Sequence, residues 1–146
     1  MKKPNLFLIG APKCGTTSMC EYLSRHPDVC FSVPKEPNYF CADITETFCS
    51  AETENEYLSK CFPTDFEECK IVGDGSASSL YSEIAVQSIL EFNPNAKFIV
   101  MLRNPVELVY SLHSHLLFTQ HEHIVSFQSA WRLQSVRRKG RSLPPG

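Results

Sequence analysis

Leu6–Pro27 reads LFLIGAPKCGTTSMCEYLSRHP, and its first half has the profile of a phosphate-gripping loop between a strand and a helix. Asn5–Ile9 is a short apolar run closed by Gly10, which predicts a buried strand. Thr16–His26 predicts a helix: Thr16 and Thr17 suit its start, Met19, Tyr22 and Leu23 recur at helical spacing, and Pro27 ends it. Gly10 and Gly15 keep the G-x-x-x-x-G spacing of a loop whose backbone N–H groups converge on an oxygen anion at a helix N-terminus. In nucleotide hydrolases a lysine follows the second glycine. Here Thr16 stands there, and the lysine of the loop is Lys13.

Outward from this stretch, Val29–Val33 predicts a second strand closed by Pro34, and PKEPNYF (34–40) a turn-rich loop. A short helix is expected over Glu54–Cys61 and a third strand over Lys70–Asp74. Ser82–Phe92 is amphipathic, with Ile84, Ala85, Ser88, Ile89 and Phe92 spaced to share one face. KFIVML, Lys97–Leu102, is the strongest strand signal, a continuous apolar run suited to the centre of a parallel sheet. Arg103 lies at its carboxyl edge, Pro105 opens a helix to about Phe118, and Ser126–Lys139 predicts a last helix. Strands alternating with helices give an α/β class: a P-loop-like three-layer domain, its central parallel sheet flanked by helices, over residues 1–146 as a single domain. Ligands of such sheets sit beyond the carboxyl ends of the strands. Gly10–Gly15, Lys35–Phe40, Asp74–Ser76 and Arg103 all fall there.

Composition narrows the function classes. The 146 residues are 42% hydrophobic and 21% charged, with net charge −2, so no broad basic field exists for nucleic acid or an anionic membrane. No apolar run approaches the roughly 20 residues of a membrane span. The apolar run Leu6–Ile9 is too short for a signal core, so a cytoplasmic protein is expected. The seven cysteines contain no C-x-x-C pair and read as free, mostly buried thiols in a reducing compartment. His113, His115, His121 and His123 lack ligand spacing, and no metal is expected. The sequence sets no oligomeric state.

Read from residues alone, the loop leaves three possibilities: a strand–helix turn, a magnesium-dependent kinase with Asp74 on the metal, or a site for another phosphate-bearing donor. PKCGTTSMCEYLSRHPDV resembles the 5′-phosphosulfate loop of sulfotransferases that use 3′-phosphoadenosine 5′-phosphosulfate (PAPS), where a strand leads to P-K-x-G-T-T and a helix closes in L-x-x-H-P. VPKEPNYF is similar to the acidic segment of the carbohydrate (heparan sulfate-like) and bacterial branches. GDGSASSLYS resembles their G-E-x-S-P-x-Y segment, departing at Gly75, where animal heparan sulfate enzymes often carry lysine, and at Ala77, which replaces the proline. KFIVMLRNPVELVYSLHSH resembles the 3′-phosphate site.

The resemblance implies a PAPS-dependent sulfotransferase without a metal. The donor would lie on Ala11, Pro12, Lys13, Cys14, Gly15, Thr16, Thr17 and Ser18, with Arg103 and Ser111 on its 3′-phosphate. Lys13 would stabilise charge on the leaving phosphate, and Glu36 would be the general base for a hydroxyl or amine of a small-molecule or carbohydrate acceptor. Family domains are longer, so a truncated domain carrying the donor-binding half is expected. The alternatives carried forward are a magnesium-dependent P-loop kinase and a non-catalytic nucleotide-binding fragment.

Overall fold

The computed structural model describes residues 2–44 and 51–144, which divide into two compact units, Met1–Leu102 and Arg103–Gly146. The first holds a four-stranded sheet of β1 (Leu6–Gly10), β2 (Val29–Phe31), β3 (Ile71–Asp74) and β4 (Lys97–Val100). The order is β2-β3-β1-β4 and every pairing is parallel. Leu6 sits opposite Gly73 on one side and Lys97 on the other, so the carboxyl ends of β1 and β3 open on the same rim.

Residues of β1 alternate between the faces of the sheet, as strand geometry requires. Phe7 and Ile9 enter a large core with Phe40, Tyr57, Val72, Ile89 and Phe92, brought by α2 (Glu54–Cys61), α3 (Ala85–Phe92) and the loop after β2. Leu8 faces the other way, onto Cys20 and Phe31, with Met19 and Leu23 of α1 (Thr16–Leu23). One helix layer on each face of a parallel sheet is the three-layer α/β architecture expected. The larger core is aromatic. Phe40 meets Phe7 edge-on at 5.8 Å and Tyr57 at 5.4 Å, while Tyr39 stacks on Tyr57 at 4.4 Å.

The second unit is helical: α4 (Pro105–Phe118), α5 (Phe127–Arg132) and α6 (Gln134–Arg137). Pro105 occupies the first turn of α4, as expected. Glu122 is buried and accepts from both terminal nitrogens of the Arg137 guanidinium, Nη1 at 2.5 Å and Nη2 at 3.0 Å, and from the amides of His123 and Ile124. That pairing holds its carboxyl down at about 2. No helix among the described residues is long and apolar enough to cross a membrane.

Several expectations are corrected. Strand β4, expected at the sheet centre, is an edge: it pairs with β1, and its other side meets no strand among the described residues. An apolar run reports what covers a strand's faces, not which neighbours pair along its edges. The single helix expected over Ser126–Lys139 is two, because bonds from Leu133 to Ala130 and from Val136 to Leu133 tighten the junction to three-residue turns. Helix α1 stops at Leu23 for the same reason, with such turns from Arg25 to Tyr22 and His26 to Leu23. Helix α3 starts late, because the Ser82 hydroxyl accepts the amides of Ile84 and Ala85, and Ile84 is left exposed. The cysteines are not all free. Cys61 is disulfide-bonded, while Cys14, Cys20, Cys30, Cys41 and Cys69 are free. Cysteine spacing shows adjacent ligand pairs but not bridges between distant positions, and the thiol count no longer argues for a reducing compartment.

Candidate active site

The loop between β1 and α1 is built for close approach. Gly10 has φ 140°, and a Cβ there would stand 2.7 Å from the Ala77 carbonyl and from Leu80 Cβ. Reciprocal bonds, Ala11 N–H to the Met101 carbonyl (2.8 Å) and Met101 N–H to the Gly10 carbonyl (2.7 Å), pin the loop to the end of β4. Gly15 caps α1 in the left-handed region (φ 85°), with no side chain bonding the first amides and no acidic residue in the first turn. The amides of Thr16, Thr17 and Ser18 have no partner within the helix by α-helical geometry. Three other helices are capped by their own side chains, Thr53 accepting the Glu56 amide on α2, Asn104 the Val106 amide on α4 and Ser126 the Ser129 amide on α5, whereas α3 and α6, like α1, have no side-chain bond from the N-cap residue. Around this helix start, Thr16 is buried, Pro12, Lys13 and Cys14 half-buried, and Gly15, Thr17 and Ser18 exposed.

Lys13 itself has φ 64°. In the first unit the other non-glycine residues at positive φ, among those described, are Glu36 (65°) and Asn38 (55°). Each such residue costs about 1–2 kcal/mol and persists where its surroundings impose it. The strain therefore falls on the loop lysine and on the turn of the expected base. Glu36 is half-buried, and Lys35 Nζ donates to its Oε1 at 2.5 Å. The Lys35 stem lies along Gly75: a Cβ there would stand 3.6 Å from Lys35 Cγ, an ordinary contact, but 2.9 Å from Cys20 Sγ, too close without a shift.

Behind this turn lies a buried network whose chemistry the sequence did not assign. Asp74 is 2% exposed; Tyr57 Oη donates to its Oδ2 at 2.5 Å and Ser76 N–H to its Oδ1 at 2.9 Å. The Asn38 N–H then donates to Ser76 Oγ at 3.0 Å. Burial pushes the Asp74 carboxyl above its usual range, against the pull of the Ser76 and Tyr57 donors. Burial, then the Asp74 charge, raises the Tyr57 phenol well above its usual value. Asp74, the metal ligand of a kinase reading, thus has both oxygens engaged by the protein. Tyr57 carried no sequence signal beyond its place on a short helix.

On the α1 side, a cleft of about 610 Å³ runs between the helix and residues 31–35, reaching Thr17, Arg25, Phe31 and Lys35. Ser32 Oγ is buried in its wall with no hydrogen-bond partner among the described residues. The neighbouring Cys20 thiol is pushed up to about 11 by burial and stays protonated at neutral pH.

Arg103 and Ser111 belong to the second unit. Arg103 is exposed and donates from Nε to Glu107 Oε2 at 3.1 Å, one turn along α4; Ser111 is half-buried on the same helix. His113 is a core histidine, its Nε2 2.9 Å from the Ile124 carbonyl oxygen.

Comparison with known proteins gives this geometry its context. Residues 5–143, across both units, match a family model described as sulfotransferase domain. The chain is similar to human carbohydrate sulfotransferase 15, 29% identical over 147 residues that cover 74% of this chain and 26% of that protein. It is similar to the human bifunctional heparan sulfate N-deacetylase/N-sulfotransferase 1, 27% identical over 162 residues, covering 98% of this chain and 17% of that protein. The crystal structure of a sulfotransferase from Alicyclobacillus acidocaldarius matches with a TM-score of 0.74 and 32% identity, over 96% of this chain and 60% of that one. This chain therefore spans about a quarter or less of the length of these curated relatives.

Proposed function

The chain belongs to the sulfotransferase family, and on that premise we propose that it transfers a sulfonate group from PAPS to a hydroxyl or amine of a carbohydrate acceptor. The observation that carries this reading is the coincidence of an uncapped helix start with backbone strain at Lys13 and Glu36, beyond the strand ends of one unit. PAPS supplies a sulfur already bonded to a good leaving group, a phosphate.

The residues present fit such a donor. The amides and hydroxyls of Thr16, Thr17 and Ser18, at the positive end of α1, suit a phosphosulfate, and Ala11, Pro12, Cys14 and Gly15 shape the approach. Lys13 offsets negative charge on the departing phosphate as the S–O bond breaks, work that a side-chain cation and fixed amides can do without a metal. Glu36 takes the proton of the acceptor O–H or N–H as the new bond to sulfur forms. Arg103, with its forked donors, and Ser111 serve the 3′-phosphate. The acceptor lies in the cleft beside Lys35, where Phe31 offers an apolar face. Names of relatives acting on carbohydrate and heparan sulfate support the acceptor class.

The test is Glu36→Gln, assayed with 35S-labelled PAPS and a panel of carbohydrate acceptors. Transfer is expected to fall about a hundredfold or more with affinity for 3′-phosphoadenosine 5′-phosphate (PAP) kept. Transfer at the unmutated rate would end the assignment of Glu36.

A further inference from the structure

We propose that Asp74, Ser76 and Tyr57 form a positioning relay that holds the Glu36 turn from beneath; this rests on the reading of Glu36 as base. The turn needs such a support. Glu36 and Asn38 both sit at positive φ, and Pro37 between them is fully buried. A non-glycine turn of this kind relaxes unless its backbone groups are tied down.

The tie is a directed chain. Tyr57, fixed in the aromatic core and fully buried, donates to Asp74 Oδ2. Ser76 approaches the other side of the carboxylate with its amide, which donates to Oδ1. The Ser76 hydroxyl in turn accepts the Asn38 N–H at 3.0 Å, so the residue that grips Asp74 through its amide also holds the backbone of the turn. From the other side, the Cys41 thiol donates to the Asn38 carbonyl at 3.5 Å. Asn38 is thus held at its amide and its carbonyl, two residues beyond Glu36, and a helix distant in sequence sets where that carboxylate stands.

Ser76→Ala removes the acceptor for the Asn38 amide, and Ser76→Thr keeps it. By amide exchange, Asn38 in Ser76→Ala is expected to exchange about tenfold faster than in the unmutated chain, with Ser76→Thr restoring protection. Circular dichroism confirms that both variants are folded. Unchanged Asn38 protection in folded Ser76→Ala overturns the relay. In 35S-PAPS turnover, Ser76→Ala is expected to slow the reaction about tenfold with PAP affinity within twofold, and to add nothing in a Glu36→Gln background. An equal slowing with and without Glu36 means that the network acts elsewhere, and also overturns the proposal. If Glu36→Gln turns over at the unmutated rate, the base assignment has failed, and the exchange result still decides whether the relay holds the turn.

Discussion

Two helix starts in this molecule, one in each unit, are proposed to meet phosphate, and they are built differently. At α1, Gly15 caps without a side chain, the first turn has no carboxylate, and the loop is bonded to β4. At α4, Asn104 already caps the Val106 amide, Glu107 sits in the first turn, and Arg103 is paired with it in solvent. The first site leaves its donors to an anion and takes its shape from the sheet. The second must exchange an internal carboxylate for a phosphate. Rigid preorganisation therefore sits where the S–O bond would break, and an adjustable contact where the carrier is recognised.

The largest expected effect tests the first site. Lys13→Ala should lower transfer by about a hundredfold or more, read in single-turnover assays at saturating PAPS. An effect below tenfold would move the leaving-group role off this lysine. Gly10→Ala should destabilise the first unit by about 2–3 kcal/mol, since its Cβ would meet Ala77 and Leu80 at an unfavourable φ. Urea denaturation measures it, and an unshifted midpoint would mean that the loop is not fixed by this approach.

Arg103→Ala should weaken PAP about tenfold while leaving adenosine 5′-phosphosulfate, which has no 3′-phosphate, nearly unchanged. Equal losses would place Arg103 elsewhere on the nucleotide. Acid should loosen the second unit. Glu122 titrates lower in the folded chain, about 2, than its ordinary 4.5, so its contribution is present above 4.5 and lost as pH falls toward 2. Fluorescence of Trp131, in the second unit, should report loosening in that window, and Glu122→Gln should flatten it. The smallest effect sharpens the contrast most. Glu107→Gln removes the exposed Arg103–Glu107 pair, worth about 0.3–0.5 kcal/mol, and should tighten PAP about twofold.

Much of the first unit was legible because its signals are local. The glycine spacing at Gly10 and Gly15, the helix start at Thr16 and the helix Glu54–Cys61 all appear where residue type and periodicity put them. Edge against centre was not legible for β4, since pairing is a relation between distant segments. Tyr57 was invisible as part of the site for a similar reason: nothing in EYLSKC says that its hydroxyl meets Asp74 across the core. The strain at Lys13 and Glu36 was equally hidden, because neither residue type advertises a positive φ.

Isothermal titration of PAP against ADP, both in chelator without magnesium, tests the central claim most directly. The account predicts PAP binding at least tenfold tighter than ADP, with no requirement for magnesium. Affinity for ADP equal to that for PAP, or nucleotide binding that appears only when magnesium is restored, would contradict it.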